Sequence, residues 1–253
     1  MTDKKAWYIG CNGDEVGEAA VLVGDRARID RIAEHLEAPQ FLAENRGLRT
    51  VTGVRKGRRI TASAFGMGAP IAAIVMHELF DLGVRRFLRI GTAMVLPPAR
   101  LGDFVLADGA LRGEGTSSTY APIGYPAVAD FGLNSALRDT LTGRATPWRA
   151  GVFGSYDGFY TEMFALTAGQ KPTVDARRAE IVGMKLIATD METATLLVEA
   201  RVLGASASSL CLGTVDGLTQ ETIGAAELAT KEREMFEIAL DALVAAPAEG
   251  DPS

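Results

Sequence analysis

The run Arg89-Ile90-Gly91-Thr92 places a guanidinium, a glycine and a hydroxyl at the end of an apolar segment. A buried strand would stop there. A second basic turn, Gly24-Asp25-Arg26-Ala27-Arg28, follows the apolar run at 19–23. An arginine fork suits an oxyanion, because its planar N–H groups donate in pairs. Open α/β sheets bind ligands at the carboxyl ends of their strands. Helix N-termini add unpaired N–H donors at the same place. Two strand ends carrying Gly and Arg therefore point to an anion site, with Arg28, Arg46 and Arg89 as its cations. Taken singly, each arginine also reads as a surface residue or the partner of an acid. Arg89 departs from that, because it interrupts an apolar run and a charge there needs a partner or a ligand. Glu78, on the apolar stripe of the preceding helix, is the expected partner.

Glu192 has two readings. Thr189-Asp190-Met191-Glu192 matches the Thr-x-x-Glu capping box of a helix start. A carboxylate at a helix start beside the anion site would also accept hydrogen bonds from sugar hydroxyls. Asp216, before Gly217, reads as a turn aspartate or as a proton donor to a leaving group. His35 and His77 lie off the main apolar stripes of their helices and read as solvated. No serine or cysteine triad assembles, and no cluster has metal-ligand spacing. The glycine turns match neither a dinucleotide fingerprint nor a Walker motif.

These residues need strands and helices to position them. Alternation of apolar runs predicts strands at Ala19–Val23, Ile60–Ala64, Phe87–Ile90, Phe104–Ala107, Gly151–Phe153 and Ser208–Val215. Helical spacing predicts helices over 28–36, from the Gly66-Met67-Gly68-Ala69-Pro70 turn to Gly83, over 191–203 up to Gly204, and over 225–244. Strands alternating with helices indicate an α/β fold with a largely parallel sheet. The 253 residues are 47% hydrophobic, enough for a substantial core. Residues 1–245 read as one domain and 246–253 as a frayed tail. No apolar window reaches membrane-spanning length, and the N-terminus lacks the apolar core of a signal peptide. Two cysteines, Cys11 and Cys211, suggest a reduced, cytoplasmic protein without a disulfide or metal. The net charge of −6 argues against a general nucleic-acid binder.

From about Trp7 to Val244 the chain resembles the nucleoside phosphorylase family, and within it the bacterial uridine phosphorylases. VLVGDRARIDRIA looks like the family's first phosphate loop, and GMGAPIAAIVMHEL like its glycine turn and helix. FLRIGT is similar to its strand-end phosphate motif and ATDMETATLL to its Met-Glu ribose motif. YAPIGYPAVADF and QETIGAAE match further stretches in order. The resemblance implies an α/β fold: a single domain with a mixed central sheet, a barrel-like distortion and flanking helices. It implies phosphate binding by Gly24, Arg28, Arg89 and Thr92, with Arg46 reaching a neighbouring subunit's phosphate. Met191 and Glu192 would hold the ribose, with Tyr8 contacting it across a dimer interface. Phe159, Met94, Met163 and Thr214 would line the base pocket, and Glu192, Arg89 and Asp216 would be catalytic. No cofactor is implied beyond inorganic phosphate as co-substrate. The partners would be a nucleoside, phosphate and further copies of the chain, as a homodimer or homohexamer with shared sites.

Departures from the family pattern fall on the base. Met163 and Ala165 stand where uridine phosphorylases have a glutamine and an arginine that read uracil. Neither forms a strong hydrogen bond through its side chain. Met94 replaces a glycine and Asp190 a glutamate, and Gly47 replaces a glutamate that helps bind a monovalent cation in some relatives. The implied reaction is reversible phosphorolysis of a nucleoside to free base and pentose 1-phosphate. A relative that binds without turnover, and a nucleosidase that uses water, are the alternatives.

Overall fold

The computed structural model describes residues 5–247. The chain opens with β1 (Ala19–Val23), buried at every residue, as a parallel strand covered on both faces must be. A short α1 (Ala27–Ala33) follows. It stops before the expected 28–36 span is complete, because the chain turns into β2 (Glu37–Phe41), an edge strand exposed throughout. Next come β3 (Thr50–Arg55), β4 (Arg58–Ala64) and α2 (Ala69–Asp81), whose start carries Pro in its first turn. Two long strands follow, β5 (Arg86–Val95) and β6 (Phe104–Gly113). A single 3₁₀ turn at Thr116–Thr119 and the two-residue β7 (Ala127–Val128) lead to α3 (Phe131–Gly143). Asp130 caps α3 by accepting from the Leu133 N–H at 2.8 Å. Then come β8 (Trp148–Tyr156), a π-helical turn at Phe159–Met163, and α4 (Lys171–Gly183). The chain ends with β9 (Ala188–Asp190), α5 (Thr193–Leu203), β10 (Ser206–Asp216) and α6 (Ala225–Ala245). Gly204 stops α5 in the left-handed conformation, as its position predicts.

All the strands join one sheet, and it is mixed. β1 pairs in parallel with β4 and β5, while β3 joins β4 and β2 antiparallel. β5 then closes a ring: β5–β10–β6–β8–β9 and back to β5. The largely parallel sheet expected from alternation holds in part: β1–β4, β1–β5, β5–β10, β6–β8 and β8–β9 are parallel, and β6–β10 and β5–β9 are antiparallel. The hairpin strands β2 and β3 and the short β9 add antiparallel pairs that apolar periodicity did not mark. Val95, Val105, Phe153, Ile187 and Cys211, one from each segment of the ring, pack together inside it. One open face of the sheet packs on α1, α3 and α6, through residues such as Ile29, Leu137 and Ile238. The other packs on α2 and α5, through Met76 and Leu197.

The first residue of the expected tail is packed against the fold. Ala246 is buried, and Arg86 donates to its carbonyl at 3.0 Å. Residues 248–253 lie outside the described residues. Among the described residues, no helix is long and apolar enough to cross a membrane.

Candidate active site

The carboxyl ends of β1, β4 and β5 meet at two glycine turns. Gly24, just past β1, accepts from the Gly66 N–H at 3.1 Å, and a Cβ on Gly24 would stand 2.8 Å from the Gly66 carbonyl oxygen. Only glycine allows that approach. Gly68, at φ 98°, ends the second turn and begins α2. Its N–H donates to Glu192 Oε1 at 2.7 Å, so the carboxylate sits at the positive end of α2.

Arg89 crosses from β5 to the same carboxylate, donating from Nη2 to Glu192 Oε2 at 2.5 Å. Its Nη1 lies 3.1 Å from Asp190 Oδ2 and donates to Cys211 Sγ at 2.7 Å. Glu192, not Glu78, is therefore the partner that Arg89 requires. Glu78 instead accepts the backbone N–H groups of Tyr8 and Ile9 at 2.8–3.0 Å, fastening the N-terminal segment to α2. Arg89 is 5% exposed, Glu192 5% and Asp190 5%. Burial works against the Arg89 charge, but the carboxylates of Asp190 and Glu192 hold its pKa above the ordinary arginine value. Burial also raises the Cys211 thiol, so Cys211 is neutral and the two carboxylates supply the charge. Arg89 Nε is buried without a partner among the described residues.

The capping box does not form. Thr189 is in extended β9, and α5 begins at Thr193. Asp190 does the capping, accepting from the Thr193 N–H at 3.3 Å and from its hydroxyl. Ser155 Oγ donates to Asp190 at 2.6 Å and accepts from the Ala194 N–H at 2.9 Å. Glu192 is thereby free of capping duty. Asp190 stood out in the sequence only as a departure from the family pattern, and Ser155 carried no signal there.

The other expected residues fall into three groups. Met94, Met163 and Met191 meet in one apolar cluster with Leu96, Leu186 and Val215. Thr92 precedes this cluster on β5, half-buried. Thr214 is the extra residue of a bulge, since the β10–β5 register jumps between Gly213 and Val215. Arg46 and Tyr8 form a second group, with the exposed guanidinium 5.4 Å from the Tyr8 ring centroid. Arg46 adopts φ 54° in the turn that Asn45 ties to the Tyr8 carbonyl at 3.0 Å.

The third group is engaged elsewhere. Arg28 is buried and paired through Nε and Nη2 to Glu232 of α6, each at 2.8 Å from Oε1. Glu232 was not apparent from the sequence pattern around Arg28. Asp216 accepts from the Leu218 and Thr219 N–H groups at 2.8 Å. Those bonds, Thr219 first, hold its carboxyl below the usual range, so it is an ionised turn residue and a poor proton donor. Phe159 is 39% exposed and stacks on Phe164 at 6.1 Å. His77 is half-exposed but reaches Tyr120 Oη at 3.3 Å, and His35 is mostly buried against Phe236. Only His35 differs from the solvated expectation, because α6 covers the helix face that carries it. No group of His, Cys, Asp and Glu is placed to hold a metal among the described residues.

A clamped carboxylate, a buried arginine and two glycine turns come together where three strands end. The sequence profile of the phosphorylase superfamily matches residues 18–245. The chain belongs to that superfamily. Relatives in it include the uridine phosphorylase of Treponema pallidum, 33% identical over 193 residues, covering 76% of this chain and 75% of that protein. The guanosine phosphorylase of Halorubrum lacusprofundi is 35% identical over 204 residues, covering 80% and 79%. The solved uridine phosphorylase of Vibrio fischeri superposes with a TM-score of 0.83 at 28% identity, covering 95% of this chain and 96% of that one. The superfamily match thus spans the strand-end glycines, Arg89 and Glu192 together.

Proposed function

We propose that this chain is a nucleoside phosphorylase: it cleaves the N-glycosidic bond of a nucleoside with inorganic phosphate, releasing free base and pentose 1-phosphate. The observation that carries the reading is the Glu192 carboxylate, held between the Gly68 N–H and Arg89 where three strands end. A fixed carboxylate beside an arginine with a spare donor suits a sugar hydroxyl next to an oxyanion.

Phosphate is taken by Arg89, Arg28, the Thr92 hydroxyl and the backbone at Gly24. Arg46, exposed and stacked on Tyr8, completes the site of a neighbouring subunit, where Tyr8 also meets the ribose. Glu192 and Met191 hold the ribose, and Met94, Phe159, Met163 and Thr214 flank the base. Cleavage passes through an oxocarbenium-like state. Phosphate against C1′ stabilises that cation and captures it, with positioning and fixed electrostatics lowering the barrier. Asp216, spent on its turn, holds the 216–220 loop and does not protonate the base. The enzyme needs no cofactor beyond phosphate as co-substrate and works in the cytoplasm as a dimer or hexamer.

Replacing Glu192 with Gln keeps the shape and removes the charge. Turnover should fall roughly 100- to 1000-fold, the loss typical of one electrostatic contact to a transition state, in protein shown by thermal melting to be folded under assay conditions. Wild-type turnover in a folded Glu192→Gln protein would remove Glu192 from the mechanism.

A further inference from the structure

Two hydroxyls on one face of the ring are buried with no hydrogen-bond partner among the described residues: Thr189 Oγ1 and Tyr156 Oη. Thr189 is 2% exposed and Tyr156 1%. Strand register fixes where they point. Thr189 lies opposite Met94 in the β5–β9 pair and opposite Gly154 in the β8–β9 pair. Residues directly opposite share a face of the sheet. Tyr156, two residues beyond Gly154, shares it as well. Gly154 lets the Tyr156 ring lean over the strand, since a Cβ there would stand 2.7 Å from Cε2 and 3.0 Å from Oη. Met94 and Met163 cover this face, with Met191 and Val215 at its border. Arg177, over the Tyr156 ring at 5.2 Å, is tied to Glu162 and Glu180.

A buried hydroxyl without a partner is costly, so each such group calls for an explanation. Here the hydroxyls border a patch of thioethers and aliphatic carbon, and Thr189 is one chain step from Asp190 and three from Glu192. We propose that the Thr189 hydroxyl, backed by that of Tyr156, is the polar reader of the base, and that the substrates are keto and amino nucleosides alike. The proposal rests on the phosphorylase reading above. A hydroxyl both donates and accepts, so it satisfies a carbonyl or an amine at the base edge equally. An amide or guanidinium cannot do both at one atom. Unbranched, polarizable methionines rotate to accept bases of different outline.

The probes are inosine, adenosine, uridine and cytidine, each with phosphate, on wild type and on Thr189→Val, Thr189→Ser and Tyr156→Phe proteins checked for melting temperature. Wild-type kcat/KM should differ by less than about a hundredfold between inosine and adenosine, and between uridine and cytidine, well short of the discrimination by sites built to read a polar group. Thr189→Val should lower kcat/KM roughly two- to tenfold on all four, as loss of one neutral hydrogen bond does. The loss should fall mainly on KM. Thr189→Ser should restore the value, and Tyr156→Phe should deepen the loss when combined with Thr189→Val. Purine riboside, with no group at C6, should be indifferent to Thr189→Val. Wild-type kinetics in a folded Thr189→Val protein, or a keto preference beyond about a hundredfold, would overturn the proposal. Should no nucleoside react at all, the phosphorylase reading fails instead. Calorimetric binding of hypoxanthine and uracil to wild type and Thr189→Val then decides the subsite separately, with equal affinities counting against it.

Discussion

Arg89 folds back over Gly91. A Cβ at Gly91 would stand 3.0 Å from Arg89 Nη1 and 3.1 Å from Cζ and Nη2. The glycine two residues along β5 therefore sets the height of the guanidinium above its own strand, and with it the reach to Glu192. Gly91→Ala should push the fork away from the carboxylate. We expect a stability loss of about 1–3 kcal/mol from overpacking and a phosphate KM raised at least roughly tenfold, as loss of a charged hydrogen bond implies. Phosphate saturation kinetics and thermal melts test this. An unchanged phosphate KM would mean that Arg89 does not meet phosphate.

Glu232 holds Arg28 at 2.8 Å and Arg31 at 3.2 Å. Removing it as Glu232→Ala strands a buried cation, which costs about 3–5 kcal/mol when a buried pair is broken. Arg31 is 43% exposed in its side chain and contributes little of that. Arg28 then loses its orientation, and phosphate KM should rise roughly tenfold with kcat less affected. If melting temperature falls but phosphate KM holds, Arg28 is structural only.

Arg89 was legible because a charge in an apolar strand has few explanations. Its partner was not, since Glu192 reaches it through the closing of the ring and not through helical spacing, which favoured Glu78. Thr-x-x-Glu spelled a capping box, yet β9 pairing holds Thr189 extended and Asp190 takes over the helix start. Glu232 lies 204 residues from Arg28, so only the docking of α6 reveals it. The long apolar strands and the glycine stops were readable from pattern. The edge strand β2 was not, because every residue of Glu37–Phe41 is exposed and no alternation marks it.

Burial raises the pKa of Glu199 on α5 to about 9, against 4.5 for the free group, and the Tyr120 hydrogen bond only partly opposes this. Tyr120 Oη donates to Oε1 at 3.2 Å, His77 Nδ1 lies 3.6 Å from it, and Oε2 has no partner among the described residues. The folded state thus holds a proton that the unfolded chain releases above pH 4.5. Stability falls as pH rises between 4.5 and about 9, by at most about 1.4 kcal/mol per pH unit from this group. Glu199→Gln removes the linked proton. Its melting temperature should gain on wild type progressively from pH 5 to pH 9, and a constant difference across that range would contradict the assignment.

The central claim is that the Arg89–Glu192 pair serves phosphorolysis. Its most direct measurement is base release from a panel of purine and pyrimidine nucleosides, with and without inorganic phosphate, alongside detection of pentose 1-phosphate. The account predicts release only with phosphate, matched mole for mole by pentose 1-phosphate. Equal release without phosphate would make the protein a hydrolase, and no release from any nucleoside by the folded protein would deny it catalysis of this reaction.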